Sequence, residues 1–246
     1  MSFRGRGYLV TGATGEIGSV LVRKLSDEGA LVAASDVAVE RLRALEAFPG
    51  VLCLGGELAV PGEPSRLVEA AEQALPSLDG LIHCVAQGER VGVLPCDPAL
   101  WSRTLATNLD ATFGLCQAAG RTFATRGRGV ILVLTSGAGV TPHTGNLPQN
   151  VCDGGIIGLI RAAAVDLAPL GVRANVLIPG PTDATWVRGL ADAAEPALAA
   201  RTGFERPGDP REIANAAMFL LSERARYMTG AVFCADGGFF RSSLRF

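Results

Sequence analysis

Tyr8-Leu9-Val10-Thr11-Gly12-Ala13-Thr14-Gly15-Glu16-Ile17-Gly18 sets the fold expected for the rest of this chain. A short apolar run reads as a buried strand, and the glycines that follow read as a tight turn. Val20, Leu21 and Leu25 then recur at helical spacing until Gly29 stops the helix. Strand, glycine turn and helix in that order let backbone approach a pyrophosphate, which the helix N-terminus holds with its unpaired N–H groups and partial positive charge. Gly12, Thr14, Gly15, Ile17 and Gly18 are the expected cradle. Glu16 sits in the same turn, so its carboxylate has to face away from the phosphates.

The next segment, Leu31 to Asp36, is a second buried strand that ends on an acid. Asp36 follows the turn at close to the roughly 20-residue spacing of the carboxylate that hydrogen-bonds a ribose 2′-hydroxyl. A carboxylate there repels a 2′-phosphate, so NAD(H) is expected in preference to NADP(H). Further strands are expected at Val51–Leu54, Gly80–Val85, Gly129–Leu134, Arg173–Ile178 and Ala231–Cys234. Between them lie helical patterns at Val39–Phe48, Ser65–Leu75, Pro98–Thr125 (with a break near its start), Asn150–Pro169 and Pro210–Ser222. Strands alternating with helices imply an α/β, Rossmann-like, doubly wound parallel sheet of about seven strands with helices on both faces. No linker or repeat divides residues 1–246, so one dinucleotide-binding domain is expected. The Ala-rich stretch 184–206 reads as a flap over the substrate site.

Composition narrows the function classes. The formal charge is −2, which leaves no basic footprint for nucleic acid. No apolar run reaches membrane-spanning length, and the N-terminus lacks a signal-peptide pattern, so a cytoplasmic protein is expected. The 6 cysteines form no CxxC pair and the 2 histidines are too few for a histidine metal site, so no metal is expected.

Further motifs follow in order: Asn108, Ser136, Pro179-Gly180, Arg206 to Ala214, Thr229-Gly230 and Asp236-Gly237-Gly238. With Thr11–Gly18 they make the chain resemble the short-chain dehydrogenase/reductase family over almost its whole length, and its compact, β-ketoacyl-reductase-like branch in particular. The resemblance implies a small-molecule substrate, a dimer or tetramer built on the two longest helices, and further cofactor contacts from Glu57, Asn108, Pro179, Gly180 and Thr182. His83-Cys84-Val85-Ala86 stands where the family has Asn-Asn-Ala-Gly.

The resemblance also implies a reaction centre in which a tyrosine passes a proton, a lysine four places later tunes it, a serine holds the substrate oxygen and an asparagine anchors a water relay. Ser136 and Asn108 match the last two. Family spacing puts Gln149 at the tyrosine position and Asp153 at the lysine position. Lys24 is the only lysine, and Tyr8 and Tyr227 the only tyrosines, and none has the paired spacing. The usual relay is therefore absent, not displaced. A glutamine amide donates a hydrogen bond but gives up no proton near neutral pH. Asp153 reverses the local charge and could meet ribose hydroxyls or the nicotinamide cation. His143 is the one side chain between Ser136 and Gln149 that titrates near neutrality, and so a substitute proton donor. Three readings follow: an unconventional oxidoreductase, an inactive subunit paired with an active homologue, and a scaffold repurposed for lyase, dehydratase or cyclase chemistry. Trp186, Val187, Leu190 and Phe204 in the flap point to an apolar, aromatic or polyketide-like ligand.

Overall fold

The computed structural model describes residues 3–85, 87–182 and 199–240. Seven strands join in one sheet in the order β3-β2-β1-β4-β5-β6-β7. They are β1 (Gly7–Thr11), β2 (Leu31–Asp36), β3 (Val51–Gly55), β4 (Gly80–His83), β5 (Gly129–Leu134), β6 (Val172–Pro179) and β7 (Val232–Ala235). Every neighbouring pair is parallel. The order reverses between β1 and β4, which opens a crevice at their carboxyl ends.

Side chains alternate across the sheet, and each set buries its own helix layer. Leu9, Leu81, Ile131 and Val133 pack with α3 (Glu63–Ala74), α5 (Ala111–Arg126) and α6 (Leu147–Leu167). Tyr8, Val10, Ile82 and Leu132 face α1 (Glu16–Asp27) and α7 (Pro210–Leu221). With both faces covered, central strands such as Gly129-Val130-Ile131-Leu132-Val133-Leu134 read as continuous apolar runs.

The elements depart from expectation at their ends. The second helical pattern splits into α2 (Val39–Arg43) and a 3-10 turn at Ala44–Ala47. β4 stops at His83, two residues early. The long helix begins as α4 (Pro98–Leu105), widens into a π turn at Ala106–Asp110 and resumes as α5. α6 starts at Leu147, before the expected Asn150, because Pro148 suits a first helical turn, where its missing N–H costs nothing. Gln149 and Asp153 therefore lie on one helix, four residues apart. Of the expected flap, 184–198 lie outside the described residues, including Trp186, Val187 and Leu190. The remainder runs through short turns with Phe204 exposed.

Candidate functional site

The crevice is lined at the carboxyl ends of three strands: Thr11 and Gly12 at the end of β1, Ser35 and Asp36 at the end of β2, and Cys84 and Val85 just past β4. Thr14, Gly15, Arg41, Glu57 and Thr107 complete it. Gly12 has φ +70°, a left-handed conformation that favours glycine, and a β-carbon on Gly18 would stand 2.1 Å from the Gly12 carbonyl oxygen. Turn and helix start are thus in backbone contact, which brings α1 end-on to the cleft. No side chain caps that helix end. An uncapped N-terminus beneath an open cleft suits an anion. The residues present therefore fit a dinucleotide, with its pyrophosphate at Gly12–Gly18 and an adenosine ribose near Asp36.

Asp36 does more than line this cleft. Its Oδ2 accepts from Thr14 N–H at 3.0 Å and from Thr14 Oγ1 at 2.8 Å, and its Oδ1 accepts from Ala38 N–H at 3.1 Å. The carboxylate ties the glycine turn to the end of β2. Arg41, which sequence reasoning missed, donates to the Thr14 carbonyl at 2.8 Å and lines the same cleft as the acid. A basic residue five places after the strand-end acid was the available signal.

Where the sequence places the reaction centre, three side-chain donors converge on one carboxylate. Asp153 is fully buried. Its Oδ1 accepts from Thr135 Oγ1 and from Gln149 Nε2, each at 2.8 Å, and its Oδ2 accepts from Ser136 Oγ at 2.9 Å. Burial raises the Asp153 carboxyl above the usual carboxylate range against the pull of those three hydrogen bonds and of the Ser136 backbone N–H. The sequence offered this carboxylate to ribose hydroxyls or to the nicotinamide cation; here its oxygens are engaged by donors of the protein itself. Ser136 Oγ also accepts from Ala138 N–H at 3.0 Å. Thr135 was missed because a lone threonine at a strand end signals nothing until α6 is packed over it.

Asn108 lies in the π turn, where its side chain is consumed by backbone: Oδ1 accepts from Gln87 N–H at 2.9 Å, and Nδ2 donates to the carbonyls of Gln87 and Thr104 at 2.6 and 2.7 Å. Its amide pins the loop after β4 to the helix. His143 lies in the loop before α6, closed by Asn150, whose amide bonds its backbone N–H at 3.2 Å and carbonyl at 2.9 Å. Burial first, then the charges of Arg201 and Arg90, lower the His143 pKa, with Asp153 opposing. Those influences disfavour the imidazolium that a proton donor would have to be.

His83 is buried, with Nδ1 at 2.7 Å from Thr11 Oγ1 and Nε2 without a hydrogen-bond partner. Gly180 is pressed against Asp236, and Thr182 is buried and bridged to Gly208. Asp236 accepts from the N–H groups of Gly238 and Phe240, both at 3.0 Å. That turn lays the Phe240 ring on the Ser136-Gly137 turn, so close that a β-carbon on Gly137 would overlap it. Among the described residues no group of three or more His, Cys, Asp or Glu could hold a metal ion, and no helix is long and apolar enough to cross a membrane.

Sheet order, crevice and glycine turn define a doubly wound nucleotide-binding fold. Residues 12–240 match the family model described as Enoyl-(Acyl carrier protein) reductase. The chain belongs to the short-chain dehydrogenase/reductase family. It is 31% identical over 240 residues to 2-(S)-hydroxypropyl-CoM dehydrogenase 3 of Xanthobacter autotrophicus, covering 93% of this chain and 94% of that one. It is 27% identical over 242 residues to 3-oxoacyl-(acyl-carrier-protein) reductase FabG of Escherichia coli, covering 98% and 99%. Among solved structures, a putative short-chain alcohol dehydrogenase from Sinorhizobium meliloti superposes with a TM-score of 0.93 at 29% identity, covering 98% of both chains.

Proposed function

We propose that this protein is an NAD(H)-binding short-chain dehydrogenase/reductase that exchanges hydride with a carbonyl or alcohol carbon of an apolar small molecule without a tyrosine–lysine relay. The observation that carries this reading is the cleft at the ends of β1, β2 and β4, with an uncapped helix at its floor and Asp36 at its rim. Relatives whose names specify alcohol oxidation or acyl-carrier reduction support the reaction class. The preference for NAD(H) rests on Asp36, whose charge opposes a 2′-phosphate even with Arg41 nearby. A dimer or tetramer through the long helices suits Phe113 on α5 and Val151 and Val165 on α6, all exposed. A single cytoplasmic domain completes the reading. Fluorescence titration with NADH is expected to saturate in the micromolar range and with NADPH to saturate less tightly. No NADH binding at millimolar concentration refutes the reading.

A second reading, an inactive subunit beside an active homologue, is favoured by one observation: Ser136 and Gln149 spend donors on Asp153. Co-purification of the tagged chain from its native host decides between a homo-oligomer and a complex with an intact homologue.

A further inference from the structure

Hydrogen-bond valence at Ser136 is almost fully assigned, and what is left has one polarity. A serine hydroxyl has one donor and two acceptor lone pairs. Its proton goes to Asp153 Oδ2 at 2.9 Å, and one lone pair accepts from Ala138 N–H at 3.0 Å. One lone pair remains, and it can only accept. Serine is partly exposed here, unlike the buried aspartate behind it. Rotating the hydroxyl outward to donate would leave Asp153 Oδ2 buried without its hydrogen-bond partner, a costly loss for a desolvated acceptor.

Gln149 is similarly oriented. Its amide nitrogen must face Asp153, because the opposite flip sets oxygen against a carboxylate. Its Oε1 then lies against Gly88, 2.9 Å from where a β-carbon on that residue would stand. The remaining Gln149 N–H can hydrogen-bond but cannot release a proton near neutral pH. Among the described residues, the Asp153 charge acts on His143 and on Cys152. Burial and the Asp153 charge push the Cys152 thiol up to about 11, so it stays protonated.

From this we infer that Ser136 receives a hydroxyl of the ligand and that Asp153 is the proton sink behind it, so the resting centre selects the alcohol over the carbonyl form of its ligand and takes up the alcohol's proton. The inference rests on the dinucleotide reading above. The ligand O–H bond breaks as its proton moves to Ser136 Oγ, while the Ser136 Oγ–H bond breaks as that proton moves to Asp153 Oδ2. Serine ends as it began, aspartate ends protonated, and the carbinol oxygen keeps the electron pair that becomes the carbonyl double bond. The hydride and its two electrons leave to an oxidised nicotinamide dinucleotide, the oxidant class this step requires. Ser136 is the catalytic residue, and Asp153 acts through it.

The test compares matched probes on the full chain saturated with ADP-ribose, which accepts no hydride. Binding of 1-phenylethanol and of acetophenone is measured by saturation-transfer NMR with competition. The alcohol is expected to bind about tenfold tighter, the ordinary worth of one hydrogen bond on a charge-backed acceptor. In Ser136→Ala and Asp153→Asn the preference is expected to fall to about parity while ADP-ribose affinity holds, a change that mere loss of packing does not produce. Acetophenone binding equally or more tightly, neither probe binding, or a preference unchanged in both variants overturns the inference. Failure of the wild type to bind ADP-ribose overturns the dinucleotide reading itself, so the two fail separately.

Discussion

Acidification should weaken this fold most strongly through the buried ring of His83. It is sealed beneath the sheet's carboxyl edge, and burial pushes its pKa down to about 4 from an ordinary 6.5. Protonation gives the ring a second donor and a charge where Nε2 already has no partner. The unfolded chain protonates near 6.5 and the folded chain only near 4, so between those values the unfolded state binds more protons. Stability is therefore present above about 6.5 and lost as pH falls through 4. At about 1.4 kcal/mol per pH unit the gap amounts to roughly 3 kcal/mol. Against the ~5–15 kcal/mol of a typical domain that is a large fraction. Urea unfolding midpoints taken from pH 8 to pH 4 measure it, with His83→Asn as the reference. Asparagine keeps a group that can pair with Thr11 Oγ1 but does not titrate in this range. The variant starts lower at pH 8, because a buried ring is lost, yet its profile should be flatter by roughly 3 kcal/mol. Asp153 works the other way, since a raised carboxyl binds its proton in the folded state and withdraws stability as pH rises through its own range; the variant shares that contribution, so the difference cancels it. Parallel profiles for the two proteins would show that His83 is not the residue responsible.

Three further outcomes follow from the cleft and the centre. Gly18→Ala sets a β-carbon 2.1 Å from the Gly12 carbonyl oxygen, so turn and helix must part; NADH affinity should drop at least about tenfold at a stability cost of about 1–3 kcal/mol, read by titration and urea unfolding. Asp36→Ala strands the N–H groups of Thr14 and Ala38, costing about 1–3 kcal/mol, and should narrow the gap between NADH and NADPH affinities in paired titrations. Gln149→Tyr with Asp153→Lys sets a tyrosine–lysine pair at the positions proposed for a proton relay, and NADH-dependent reduction of acetophenone should rise by about 10²–10⁴ over wild type; an unchanged rate in a folded, NADH-binding double variant would refute that placement.

The parallel sheet was legible because each strand and helix carried its own periodicity and the glycine turn fixed their first pairing. Helix boundaries were less legible where local rules competed. Val39–Phe48 has continuous helical spacing, yet α2 gives way to a 3-10 turn at Ala44, where the chain must reach Phe48 and enter β3. Ser136, Gln149 and Asp153 were readable through the spacing of the family they resemble. Their bonding was not. Thr135 and Ser136 follow β5, Asp153 follows a whole turn of α6, and only the packing of that helix over the strand end brings the hydroxyls onto the carboxylate. Nor did any pattern announce Phe240 on the Gly137 turn, a contact set by Asp236 holding two backbone N–H groups.

The carboxylate at 153 also means that a tyrosine–lysine pair would have to enter at 149 and 153 together. A buried polar cluster is stable only when every member is satisfied. Here Asp153 takes Thr135, Gln149 and Ser136 as donors without a cation. Replacing Asp153 alone by lysine would set an ammonium among groups now arranged to donate and leave the two hydroxyls to reverse. A buried, unpaired cation of that kind costs several kcal/mol or loses its proton. Replacing Gln149 alone by tyrosine would keep one donor toward Asp153, and the buried carboxylate would raise the phenol's pKa, which weakens it as an acid. Neither single change restores the relay, so the single variants should each fall below the double in carbonyl reduction, and Asp153→Lys should be the less stable of the two. Additive behaviour of the pair, in rate and in unfolding free energy, would mean that the four side chains do not act as one cluster.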